Sequence, residues 1–230
     1  MRGNEVYEAL SRIGATHLYH ANSVTTSCTF LEQAGLLSRG LVEDHALRQT
    51  PQNSDQKDKR YGIWHHVFLD HVDIHHRAGR ARAPNEYGPV LFALELNFLL
   101  ALPGDTDVLV TRSNPTYWYD DEPDERRWFR SVEELVRGMR FGEFAQMLVI
   151  QTPLGRIDFP NRRAGLILDD PQRQLSSGEN AYAHAQNRLT AAATVGRIDV
   201  CIEQRACCDG CVCIQQYAAQ SVPDLDLYFG

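Results

Sequence analysis

Short apolar runs of strand type, scattered irregularly between isolated helical stripes, constrain this chain more than any other feature. Strands are expected at His17-Leu18-Tyr19-His20, within Tyr87 to Leu102, at Gln146 to Gln151 with its apolar run Met147-Leu148-Val149-Ile150, and at Ile198-Asp199-Val200-Cys201-Ile202. Helical spacing occupies the intervals. Val6 to Ile13 places Val6, Leu10 and Ile13 on one stripe, and Thr25 to Leu37 does the same with Phe30, Leu31, Ala34 and Leu37, with Gly35 near its end. Ser131 to Phe141 opens on Ser131 as a cap with Glu134 at the capping-box position, and Asn180 to Thr194 is Ala-rich. This order repeats no βαβ unit, so the expected fold is a single α+β domain around a mixed sheet rather than a regular doubly wound one. Residues 1–200 are assigned to that domain and 201–230 to a Cys-rich C-terminal extension of it.

A chain of 230 residues with 43% apolar and 23% charged side chains can bury a substantial core without covalent staples. Residues 48–60 hold no large apolar side chain beyond the ring of Pro51 and are expected to form a mobile surface loop of the kind that covers a site. The longest apolar stretch, Pro89 to Pro103, is interrupted by Glu95 and Asn97 and is too short to span a bilayer. The opening Met1-Arg2-Gly3-Asn4-Glu5 has no apolar core of signal-peptide length, so a cytoplasmic protein with no membrane partner is expected. A formal charge of −7 argues against a general nucleic-acid coat, although Arg77, Arg80 and Arg82, and then Arg126, Arg127, Arg130, Arg137 and Arg140, form local basic clusters. No Gly-rich phosphate loop is present.

Histidines gather at His17 and His20, and again at His65, His66, His71, His75 and His76. No H-E-x-x-H occurs, and the intervening Asp70 and Asp73 complete no known zinc spacing, so boundary, supporting or substrate-binding roles on the amphipathic stretch Ile63 to Arg77 are expected ahead of catalytic zinc. Five of the six cysteines are Cys201, Cys207, Cys208, Cys211 and Cys213. Cys208-x-x-Cys211 has ligand spacing, and these five are the candidate ligands of a structural zinc; a Cys-rich turn and a redox pair are the alternatives.

The line Leu18-Tyr19-His20-Ala21-Asn22, followed by Leu31-Glu32-Gln33-Ala34-Gly35-Leu36-Leu37-Ser38, resembles the opening of DarT-type ADP-ribosyltransferases, in which a Tyr-His strand precedes a helix ending in Gly-Leu. Asp73-Ile74-His75-His76-Arg77 is similar to that family's NAD-facing arginine region. Tyr87-Gly88-Pro89-Val90-Leu91-Phe92 is similar to its Tyr-x-Pro strand, and Ala145-Gln146-Met147-Leu148-Val149 to the strand carrying its catalytic glutamate. The resemblance covers about residues 17–150 and implies an ADP-ribosyltransferase-like mixed-sheet domain that takes NAD as substrate. It also implies ADP-ribose transfer to a nucleic-acid base, as in a toxin or phage-defence protein, with an antitoxin protein as a further partner. By this pattern His20 and Asn22 hold the nicotinamide amide and ribose, Tyr19 or Tyr87 stacks on the nicotinamide ring, Gly35 belongs to the cofactor-binding segment, and Arg77 faces the phosphates or the acceptor. The glutamate position is occupied here by Gln146, a neutral amide that cannot stabilise a developing cation as a carboxylate does. Glu143 taking over the role is preferred to an altered mechanism or a disabled enzyme. Two other classes stand beside this one: a catalytically silent zinc-containing module that binds nucleic acid or protein, and a metal-dependent hydrolase built on the histidines.

Overall fold

A computed structural model of the chain describes residues 1–75, 86–140, 142, 146–206 and 212–230. The elements in chain order are α1 (Gly3–Arg12), β1 (His17–Asn22), α2 (Val24–Glu32), β2 (Gly35–Leu37), α3 (Arg39–Asp44), α4 (Asp55–Arg60), β3 (Val67–Asp70), β4 (Val90–Glu95) and β5 (Asp107–Val110). They continue with α5 (Asp124–Arg127), α6 (Val132–Gly138), β6 (Met147–Gln151), β7 (Arg156–Asp158), β8 (Arg163–Leu168), α7 (Ala181–Gly196), β9 (Asp199–Gln204), α8 (Val212–Ala219) and α9 (Val222–Phe229). Seven strands form one mixed sheet in the order β5-β6-β3-β1-β4-β8-β9, and β2 pairs with β7 in a separate ribbon. All neighbours in the large sheet are antiparallel except β8 and β9, whose parallel pairing requires the crossover that α7 supplies. The chain is thus an α+β domain with a seven-stranded mixed sheet, and among the described residues no helix is long and apolar enough to cross a membrane.

The two sides of β1 are held very differently. Toward β4 it pairs along its whole length, from His17 opposite Glu95 to Asn22 opposite Val90. Toward β3 the pairing is the single match of Tyr19 with Asp70. The sheet is therefore split beyond Tyr19, and the candidate site lies at that split.

The core explains why the helices form where they do. Phe30 of α2 lies 6.0 Å from Phe92 of β4, ring centre to ring centre, and Phe92 stacks on Phe159 at 5.6 Å. Helix α2 is buried along Thr26–Leu31 because it runs between the sheet and α7. The close approach at its end depends on Gly196, where a β-carbon would fall 1.9 Å from the carbonyl oxygen of Leu31. Tyr217, Leu225 and Phe229 of the C-terminal helices are buried in the same core, so the segment after residue 200 packs as part of this domain. A buried polar cluster binds that segment to the rest. Asp169 accepts from Arg205 Nε at 2.5 Å and from the Tyr217 hydroxyl at 2.6 Å and lies 3.2 Å from His75 Nδ1, while Arg205 reaches Asp73 with both terminal nitrogens.

Several expectations are corrected. The helix expected through Leu37 ends at Glu32, because Ala34 turns the chain at φ 60° and Gly35–Leu37 becomes a strand opposite Asp158 to Arg156. Half of the expected loop 48–60 is helix α4, whose Asp55 and Asp58 in the first turn and Lys57, Lys59 and Arg60 toward the last suit the helix dipole without any apolar stripe. The stretch Ile63 to Arg77 contains strand β3. Beyond β4 the expected strand continues as a 3-10 helix, Leu96–Ala101. Ser131 caps α6 by accepting from the Glu134 amide, but the Glu134 carboxylate reaches back to Arg130 rather than to the cap residue.

Gly196→Ala should force α7 away from α2 and cost roughly 1–3 kcal/mol, the usual penalty for overpacking. Urea unfolding measures this, and an unchanged midpoint would show that the helix contact is dispensable.

Candidate functional site

The pocket opens where β1 and β3 diverge. The His20 side chain closes the base of the gap, and its Nδ1 meets the Phe68 carbonyl at 2.7 Å, where a regular ladder would supply a backbone N–H. The Nδ1–H therefore donates, which leaves Nε2 to accept from Asn22 Nδ2 at 2.9 Å. Burial lowers the His20 pKa to about 4, so the ring is neutral and its tautomer is set by these two bonds. Asn22 is in turn fixed with its amide nitrogen on His20, and its Oδ1 is buried with no hydrogen-bond partner. The backbone at Asn22 and Ser23 is pressed by Gly88, whose φ of 107° and lack of a β-carbon permit a contact that would otherwise fall at 2.5 Å.

Opposite these groups lie two carboxyls. Asp70 ends β3 beside Met147 of β6 and is partly buried, with Oδ1 sealed from solvent and without a hydrogen-bond partner. Desolvation pushes its pKa up to about 8. Asp58, on the inner side of α4, is raised to about 6 by the same cause, offset in part by its bond to Ser54. Arg39, the first residue of α3, also lines the pocket. Its Nη2 donates to Thr50 O and to Asp55 Oδ2, both at 2.9 Å, and its Nε lies 2.6 Å from Asp55 Oδ1, but Nη1 is buried without a partner. The pocket therefore holds an acceptor, Asn22 Oδ1, a cationic donor, Arg39 Nη1, a ring nitrogen, His66 Nδ1, and a carboxyl, Asp70, that nothing in the protein satisfies among the described residues. Buried polar groups left open in this way are satisfied by a ligand or by water.

Of the residues singled out in the sequence, His20, Asn22, His66 and Tyr87 line this pocket together. Tyr19 projects from the other face of the sheet, as alternation along a strand requires, and lines a separate groove with His17, Glu95 and Cys201. Gly35 is buried in the β2–β7 ribbon, where a β-carbon would strike Ile157 O at 2.6 Å, so it shapes the backbone and does not line the pocket. Gln146 does not line it either: its Oε1 accepts from Arg140 N at 2.7 Å, and its Nε2 donates to Gly138 O at 3.1 Å and Arg112 O at 3.3 Å. These bonds make Gln146 a brace between the end of α6 and the head of β6. Glu143, Arg77, Cys207, Cys208 and Cys211 lie outside the described residues. Cys201 is exposed on β9 and Cys213 is buried in α8. Among the described residues no three His, Cys, Asp or Glu side chains are grouped to hold a metal ion. Arg39, Asp58 and Asp70 were not selected from the sequence. The available signal for Arg39 was its place directly after Ser38, which caps α3.

Two outcomes follow from this geometry. Gln146→Glu sets a carboxylate against two carbonyl oxygens and should lower stability by roughly 1–3 kcal/mol; denaturant unfolding that matches the native chain would refute the bracing role. For Asp70 the folded state holds its proton to higher pH than the unfolded chain does, so its contribution is present below the ordinary aspartate range and lost as pH rises toward about 8. Asp70→Asn should therefore leave the melting temperature nearly unchanged at pH 4 and raise it progressively up to pH 8 or above, and a parallel pH profile for both proteins would contradict the desolvated carboxyl. Neither a scan against protein-family models nor a search of curated proteins finds a significant match to this chain.

Proposed function

We propose that the chain is an NAD-dependent ADP-ribosyltransferase that modifies a nucleic-acid base. The observation that carries this reading is that His20, Asn22 and Tyr87, which the resemblance to DarT-type enzymes assigns to NAD, line one pocket at the split in the sheet. The open groups of that pocket suit the substrate. Asn22 Oδ1 is an acceptor for a carboxamide N–H, and Arg39 Nη1 is a cationic donor for a diphosphate, a role the resemblance gives to Arg77. The carboxylate that Gln146 cannot supply comes from Asp70, one strand away and paired in register with Met147, the residue after Gln146.

In this mechanism the bond between nicotinamide and the ribose carbon breaks, and its electron pair goes to the ring nitrogen, so that neutral nicotinamide leaves. Positive charge develops on the ribose, and the ionised Asp70 stabilises it. A ring nitrogen or exocyclic group of the acceptor base then bonds to the ribose carbon and gives up its proton to Asp70 or to water. Tyr117, 81% exposed and next in sequence to the pocket residue Thr116, offers a stacking surface for such a base at the rim. Lys57 is tied to the Thr116 carbonyl there and adds positive charge.

Incubation with NAD and nucleic acid should release nicotinamide and raise the mass of the nucleic acid by one ADP-ribose. Asp70→Asn should slow this about a hundredfold or more, as loss of a transition-state charge does. Asn22→Ala should chiefly abolish the rise in melting temperature that NAD confers by mass action. Absence of both nicotinamide release and thermal stabilisation at millimolar NAD would refute the assignment.

A further inference from the structure

We propose that the pocket at the split is built for a cationic ring with Asp70 as its counterion, so that, within the NAD reading on which this rests, it accepts the oxidised dinucleotide and rejects the reduced one. The titratable and charged groups that line the pocket with Asp70 offer it no free counterion. From β1, His20 is neutral, since one ring nitrogen donates to Phe68 O and the other accepts from Asn22. From the turn before β3, His66 sets its Nε2 against Gln151, leaves its buried Nδ1 without a hydrogen-bond partner, and is held toward its neutral form by burial. From α3, Arg39 is already engaged by both oxygens of Asp55. From α4, Asp58 adds a second acid, and Tyr87, Phe68 and Met147 contribute no positive charge. Among the described residues Asp70 thus has neither an ion pair nor a hydrogen bond at its sealed oxygen, and the pocket holds more acid than its one committed guanidinium offsets.

Such a carboxyl stays protonated while the pocket is empty and ionises when a ligand brings a positive charge beside it. A pyridinium ring does so, whereas a dihydropyridine or free nicotinamide, which is uncharged, leaves Asp70 as it was. Selection by charge then operates alongside Asn22 Oδ1, which recognises the carboxamide shared by all these ligands. Binding of the cation releases a proton, because Asp70, near pKa 8 in the empty pocket, is largely protonated at neutral pH.

The test compares 1-methylnicotinamide, a cation, with nicotinamide, its neutral counterpart, and oxidised with reduced NAD, by titration calorimetry at pH 7 in two buffers of different ionisation enthalpy. The cationic member of each pair should bind roughly tenfold or more tightly, as expected of a charge pair in a poorly solvated site. It should release protons on binding, and both effects should vanish in Asp70→Asn, in which an amide replaces the neutral acid at nearly equal volume. Equal affinity for the charged and neutral members, or a preference that survives Asp70→Asn, overturns the proposal. Equal binding of oxidised and reduced NAD refutes it while leaving the NAD assignment intact. Preference for 1-methylnicotinamide without any binding of NAD upholds the cation site and refutes the NAD assignment.

Discussion

The hydrogen bond from the His20 ring to the Phe68 carbonyl is the contact on which the rest of the arrangement turns. A sheet continuous across β1 and β3 would leave no opening, because backbone groups would pair and neighbouring strands would sit at ladder distance. One match, Tyr19 with Asp70, holds the strands at the foot of the gap, and a side chain instead of the backbone satisfies the next carbonyl. The strands can separate there without leaving a buried acceptor unpaired, which would otherwise cost as much as a lost hydrogen bond. The same ring, once committed to Phe68, has a single remaining lone pair, and that lone pair orients Asn22. Fold and site are thus fixed by one residue acting in two directions.

How much of this was legible beforehand can be judged residue by residue. His20 and Asn22 stand at alternate positions of a short apolar strand, so a common face was readable, and so was the placement of Tyr19 on the other one. Strands β1, β4, β6 and β9 and helices α1, α6 and α7 follow from period and capping, which are local properties. Strand β8 was not readable: Gly165 and the flanking Arg163 break its apolar pattern, and it forms because β4 and β9 enclose it. Helix α4 carries no apolar stripe, so its existence shows only in the order of its charges. Asp70 and Arg39 could not be chosen from the chain at all, because what distinguishes them is the absence of partners in space. Gln146 shows the converse, a polar residue at a strand mouth whose three backbone bonds come from residues up to 34 positions away.

The pocket joins groups whose protonation is displaced in opposite senses by the same cause. Desolvation disfavours charge of either sign, so it lowers His20 and raises Asp70. Both are consequently neutral in the empty pocket near neutrality. Neither of these two groups contributes a charge in that state, and the field of the pocket comes from Asp58 and from Arg39 with its partner Asp55.

The cluster of Asp73, His75, Asp169, Arg205 and Tyr217 has a consequence for the order in which the molecule is made. Its members lie far apart along the chain, and the loop that joins them is closed by Arg205 and Tyr217, which are translated well after Asp73 and His75. Contacts of such long sequence separation are costly in loop entropy and form late. A nascent chain that has already exposed β1, β3 and β4 to the cell would therefore present the pocket strands before the cluster that anchors their flanking loop exists.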